Sequence, residues 1–187
     1  MGVAIDSLRI VEFPDPVLRR RAAEVPAITD EVRQVAGRMV ELMREAEGVG
    51  LAAPQVGLAW RLFVAEVPEN EEEGRTAQGE APSATTGPVV YVNPVLSAPG
   101  GELEPFVEGC LSLPEIRGEV RRPALVTITA TGLDGRVFTQ RGSGLLARCW
   151  QHEVDHLDGV LILDRMSQAS RLKNRKKIRD LERGAEG

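Results

Sequence analysis

Every histidine in this 187-residue chain falls within one stretch, Gln151-His152-Glu153-Val154-Asp155-His156. On a helix, residues four apart lie about 6 Å apart on one face, so both imidazoles can bind a single metal ion. Glu153 sits beside the first histidine and can reach a metal-activated water without being a ligand. In this His-Glu-x-x-His arrangement the metal lowers the pKa of water and the glutamate takes the proton. The fold is constrained accordingly. The stretch has to be helical, and because open catalytic sites commonly use three protein ligands, another segment has to deliver a third. The competing reading is an ordinary helix with two surface histidines.

Cysteine is as scarce as histidine, with only Cys110 and Cys149. Cys149 shares the helical face, but its axial distance from the midpoint of the histidines is roughly 7 Å. A cysteine side chain cannot span that and still hold a bond of about 2.3 Å. Cys149 therefore reads as a small buried apolar residue. Cys110 is the stronger candidate. It lies in Glu108-Gly109-Cys110-Leu111-Ser112-Leu113-Pro114, a non-helical segment able to swing a thiolate toward a separate helix and expose backbone N–H groups. Asp158 and Asp164 remain conceivable ligands downstream. Two cysteines also exclude the disulfide framework of a small secreted domain.

The remaining composition sets the class. With 42% hydrophobic residues, 27% charged residues and a net charge of −5, the chain reads as one globular domain over 1–187 rather than a disordered one. The longest apolar run, Val160 to Leu163, is far short of the roughly 20 residues of a bilayer span. No basic-then-apolar leader opens the sequence, so a cytoplasmic protein is expected.

Along the chain, residues 8 to 28 read as an extended segment punctuated by Pro14, Pro16 and Pro26. A helix is predicted from Thr29 or Asp30, with Val32, Val35, Met39, Leu42, Met43 and Ala46 on its apolar face and a stop at Gly48. Trp60 to Val67 reads as a strand. Residues 68–87, starting with an acidic run, read as a solvated, mobile loop insertion. Val89 to Leu96 reads as a short strand pair broken at Asn93-Pro94. A hairpin is expected from Ala124–Thr131 and Arg136–Arg141 around Asp134-Gly135. A helix should run from Ser143 to Leu157 and end at Asp158-Gly159, with a last helix from Leu163 onward. Strands in the middle and helices at both ends argue an α+β fold: antiparallel sheets around a central metal-binding helix.

A third motif is Gly48-Val49-Gly50-Leu51-Ala52-Ala53-Pro54-Gln55-Val56-Gly57. Its glycine spacing mimics a dinucleotide fingerprint, but it follows a helix, and Pro54 interrupts the helix that should carry a pyrophosphate. Its useful content is backbone freedom beside Gln55, whose amide can donate to a developing oxyanion.

Taken together and in order, Gly48–Gly57, Glu108–Pro114 and Gln151–Gly159 resemble the three signature motifs of the peptide deformylases. The segment from Arg9 to Arg19 resembles that family's N-terminal region. The resemblance implies hydrolysis of the formyl group from the initiator methionine of nascent peptides, releasing formate. It implies Fe(2+) as the catalytic ion, replaceable by zinc, nickel or cobalt, held by Cys110, His152 and His156. Gln55 and the Leu111 backbone N–H would donate to the oxyanion, and Glu153 would shuttle the proton. Val49, Gly50, Gly109 and Arg148 would contact substrate, and Arg117 and Glu47 would either pair beside the site or stand as simple surface charges. Arg148 stands where many relatives carry an apolar residue, so its stem is expected to line the wall while its guanidinium reaches water.

The tail departs from the acidic whole. Arg171 to Arg179 holds six basic residues, no acidic one, and all three lysines of the chain. The basic helix or tail over 165–187 could therefore contact nucleic acid, or be a solvated helix end. The resemblance, to a family in which some C-terminal helices dock on ribosomal RNA, implies the ribosome as the candidate partner of a protein expected to be monomeric. Two rival readings remain open: a zinc endopeptidase built on the same helix, and a structural metal protein with a closed four-ligand site.

Overall fold

The computed structural model describes residues 2–69 and 81–184. Most of the predicted acidic insertion, 70–80, and the last three residues of the tail lie outside the described residues. The fold is α+β; among the described residues five strands form one antiparallel sheet in sequence order. The strands are β1 (Gly50–Ala52), β2 (Leu62–Ala65), β3 (Val89–Cys110), β4 (Leu113–Thr131) and β5 (Val137–Ser143). Among the described residues the α-helices are α1 (Asp30–Glu45), α2 (Gly144–Leu157), the single turn α3 (Ile162–Arg165) and α4 (Gln168–Gly184). No helix among the described residues is long and apolar enough to cross a membrane.

α1 begins as its residues dictate. The Thr29 side chain accepts from the Val32 N–H, and Asp30 and Glu31 occupy the positive end of the helix. The predicted apolar face is buried, except that Ala46 is already the C-cap residue. The chain reverses at Glu47, which takes a positive φ of 54° before Gly48.

α2 is the central element. It packs against the sheet through Leu146, Ala147, Trp150, Val154 and Leu157, all buried in one cluster with Phe63 and Tyr91. Phe63 and Tyr91 stack at 4.5 Å, and Trp150 meets Tyr91 edge-on at 5.9 Å, geometries that suit the ring quadrupoles. The helix stops at Gly159, whose φ is +73° and where a Cβ would lie 2.6 Å from the Arg19 carbonyl oxygen. Only glycine satisfies both conditions there. A second core, under α1, gathers Val35, Met39, Met43, Leu51, Leu62 and Val64.

The main difference from expectation lies in the strands. The segment from Val89 does not break at Asn93-Pro94; β3 continues to Cys110 with its register shifted between Val92 and Val95. Asn93 absorbs the irregularity with φ +50°. Its side chain accepts from Val25 N–H at 2.8 Å and donates to Val25 O at 2.9 Å, tying the N-terminal segment to the sheet. β4 likewise starts at Leu113 rather than near Ala124. The two strands form a long ribbon closed by the two-residue turn Leu111-Ser112, so Cys110 is the last residue of β3.

Candidate metal centre and active site

Three elements converge on the site. α2 projects His152 and His156, the end of β3 supplies Cys110, and the turn after β1 supplies Gln55. The Cys110 Sγ lies 3.2 Å from His156 Nε2, which lies 3.2 Å from His152 Nε2. The three ligand atoms all fall within 4.8 Å of one another. Bonds of about 2.0–2.3 Å in tetrahedral geometry require donors roughly 3.3–3.8 Å apart, so this set fits a single ion after small adjustment. Cys149 is buried elsewhere on the helix, its Sγ 3.6 Å from Val49 O, and takes no part in the triad.

Glu153 lies beside the triad, 4% exposed, and its Oε2 has no protein hydrogen-bond partner. Burial raises its pKa to about 7, with the neighbouring carboxylates Glu108 and Asp155 pushing the same way against the charges of His152 and Arg122. A group poised there can take and return a proton near neutral pH. β1 passes directly over it. A Cβ on Gly50 would lie 2.5 Å from Glu153 Oε1 and 2.8 Å from Cys149 Sγ, so Gly50 is required for this close approach.

Gln55 is held in one orientation. Its Oε1 accepts from Ala52 N–H at 2.9 Å, and its Nε2 donates to Ser112 Oγ at 3.2 Å while lying 3.6 Å from Cys110 Sγ. Its amide nitrogen is thereby aimed at the metal triad and at the turn carrying Leu111. Val49, Gly50, Gly109, Arg148 and Leu111 line a cavity of about 410 Å³ that opens onto His152 and Glu153. Glu47 and Arg117 also line it, but they form no ion pair with each other.

Beneath the triad lies a buried charge network that sequence reasoning did not assign. Glu108 Oε2 meets His152 Nδ1 at 3.1 Å. Arg122 grips both oxygens of Glu108, at 2.7 and 3.0 Å, and reaches Asp155 at 2.8 Å. Arg165 closes the chain with a 2.7 Å bond to Asp155. Burial alone would raise the Glu108 carboxyl, yet hydrogen bonds from His152 and Arg122 hold it well below the usual carboxylate range. An ionised Glu108 accepting from Nδ1 leaves the Nε2 lone pair of His152 free for a metal, the usual carboxylate–histidine support. His156 has no such support: its Nδ1 is buried without a protein partner. Glu108 stands two residues before Cys110 and Asp155 one before His156, so both lay inside motifs read for other residues.

Arg148 departs from expectation. Its stem borders the cavity, but the guanidinium does not reach water; the residue is 8% exposed. It donates to Glu108 Oε1 at 2.8 Å, Glu104 O at 2.8 Å and Val120 O at 3.2 Å. The β3–β4 ribbon folds over this part of α2 and offers three acceptors, which solvent would otherwise have supplied.

A His-Glu-x-x-His helix, a cysteine sulfur from a second element and an ionisable glutamate whose Oε2 lacks a protein partner together define a metal-dependent hydrolase. Comparison with known proteins makes this specific. The polypeptide deformylase family profile matches residues 7–172. A peptide deformylase of Acinetobacter baumannii (strain SDF) is 41% identical over 179 residues, covering 96% of this chain and 94% of that protein. Peptide deformylase 2 of Gloeobacter violaceus is 44% identical over 160 residues, covering 85% and 79%. Among solved structures, peptide deformylase from Ehrlichia chaffeensis superimposes with a TM-score of 0.85 at 31% identity, covering 96% of this chain and 97% of that one. This chain belongs to the polypeptide deformylase family, metal-dependent hydrolases that act on N-formyl-methionine.

Proposed function

We propose that Cys110, His152 and His156 hold the catalytic ion for the reaction of this family, removal of the formyl group from the N-terminal methionine of nascent peptides with release of formate. The observation that carries this assignment is the convergence of their three ligand atoms within 4.8 Å beside Glu153, whose buried Oε2 has no protein partner. A divalent ion bound there, Fe(2+) by resemblance, supplies a Lewis acid that makes water nucleophilic at neutral pH. Glu153 takes the proton of the attacking water and passes it to the leaving amine. The Gln55 amide and the Leu111 N–H donate to the oxygen that gains charge in the transition state, each contributing roughly 3 kcal/mol when well aligned. Val49, Gly50 and Gly109 offer backbone groups to the peptide, and the cavity beside Arg148 receives the methionine side chain.

The test is formate release from a formyl-Met peptide by anaerobically purified protein. Turnover is expected, with a Glu153→Ala variant that retains its metal and loses most activity. Unchanged activity in that variant would overturn the mechanism. Cleavage of internal peptide bonds, without preference for formyl-Met peptides, would favour the endopeptidase alternative.

The whole chain acts as one catalytic domain in this reading, a cytoplasmic monomer. The exposed basic residues of α4 support contact with the ribosome. Cosedimentation with ribosomes should be lost when α4 is truncated, and equal binding would reject the contact.

A further inference from the structure

We propose that Arg148 is a positioning residue for the metal centre, acting through Glu108 on His152 and thereby linking the wall of the side-chain cavity to metal retention. The inference rests on reading Cys110, His152 and His156 as metal ligands, and extends it to a residue that touches neither metal nor reacting atoms.

Three observations carry it. First, support of the two imidazoles is lopsided. The His156 Nδ1 has no protein partner, so His152 and its bond to Glu108 bear the orientation of the histidine pair. Second, the Glu108 carboxylate is clamped from two sides. Arg122 approaches both oxygens, while Arg148 Nη1 shares Oε1 with Arg122 Nε, at 2.8 and 2.7 Å. With Asp155 on the far side of Arg122, the buried charges of Arg122, Arg148, Glu108 and Asp155 cancel in pairs, as buried charges must. Third, the same guanidinium is part of the cavity wall. Arg148 Nη2 holds the Glu104 carbonyl of β3, and the Arg148 Cζ lies 5.1 Å from the centre of the Phe106 ring. Phe106 itself lines the cavity and is 44% exposed. A side chain packed on Phe106 therefore presses on a guanidinium that also fixes the carboxylate behind His152.

The fork of the guanidinium is what allows this, because it reaches a carboxylate and two carbonyls in fixed directions at once; an ammonium is a point charge. Arg148→Met keeps an unbranched apolar stem against the cavity and removes the fork, and Arg148→Lys keeps the charge but not the geometry.

The experiment follows metal release from holoenzyme into excess chelator by elemental analysis, independent of turnover. Loss of a carboxylate that supports a metal-bound histidine costs about 10- to 100-fold in affinity. One step further out, Arg148→Met should release metal about three- to tenfold faster than wild type, with Arg148→Lys intermediate. Leu145→Ala, which alters the cavity wall on the same helix, should raise KM without speeding release. Release at the wild-type rate from Arg148→Met would overturn the proposal, as would equal acceleration by Leu145→Ala. Should Arg148→Met fail to fold, wild-type release from Arg148→Lys overturns it and faster release supports it. A wild-type protein that holds no metal would instead overturn the assignment of the ligands, whatever the variants do.

Discussion

α2 and α4 both carry many charged residues, and the fold treats them in opposite ways. On α2 and the ribbon above it, Glu108, Arg122, Arg148 and Asp155 are taken out of water and each is matched by short hydrogen bonds. On α4, Arg171, Lys173, Arg175, Lys176, Lys177 and Arg179 stay exposed, and the one buried residue among the described part of that helix is Asn174, which donates to the Arg117 carbonyl at 2.8 Å. Removing one partner of a buried set strands the others in a medium that cannot solvate them. Removing an exposed charge hands its partner back to water. The same residue types therefore specify geometry in one region and only a surface potential in the other.

The comparison can be broken by mutation, and the largest effect should come from chemistry. Glu153→Ala should lower kcat by about 10²- to 10⁴-fold with metal content unchanged, as measured by formate release and elemental analysis. Next comes the buried network. Arg122→Met leaves Glu108 and Asp155 each short of a partner and should destabilise the fold by about 3–5 kcal/mol in chemical denaturation. Gly50→Ala forces a methyl group into the Glu153 carboxylate and Cys149. It should cost about 1–3 kcal/mol and depress kcat, while an unaltered kcat would show that β1 yields.

A half-exposed pair tests the ground between the two regimes. Burial pushes the Asp164 carboxyl up, but hydrogen bonds from Arg19 and from the Leu161 N–H draw it below its ordinary value. A depressed carboxyl contributes stability above its unfolded pKa of about 4 and loses it as pH falls through the folded value. Asp164→Asn should thus lower Tm at pH 7 by a small margin, and the gap to wild type should close below about pH 4. At the far end, replacing Lys173, Arg175, Lys176 and Arg179 by alanine should change stability by under about 0.5 kcal/mol at each position and leave turnover of short formyl peptides intact.

How much of this was legible depended on whether the signal was local. The start of α1 was, because Thr29 caps through its own side chain. So were α2 and its stop, since the apolar spacing and Gly159 act within a few residues. The β3–β4 ribbon was not. Pro105, Pro114 and the glycines near 100 are residues that strands disfavour, and the alternation Ile116, Gly118, Val120, Arg122, all buried, is masked by an arginine at an inward position. Arg122 faces inward because Glu108 and Asp155 await it there, 14 and 33 residues away in sequence.

What the sequence offered alone was a candidate set: two histidines and a glutamate placed by helical periodicity, Cys110 as the stronger candidate once axial distance set Cys149 aside, and a resemblance to one family across three ordered motifs that implies they act together. Tertiary structure decided what stands behind that set. Whether the guanidinium of Arg148 meets water or a carboxylate depends on which strand folds over it, and no periodicity within α2 carries that information. The ribbon delivers Glu104, Glu108 and Val120 to the helix. Its acceptors make burial of the charge affordable, and so turn a residue expected at the surface into part of the support beneath His152.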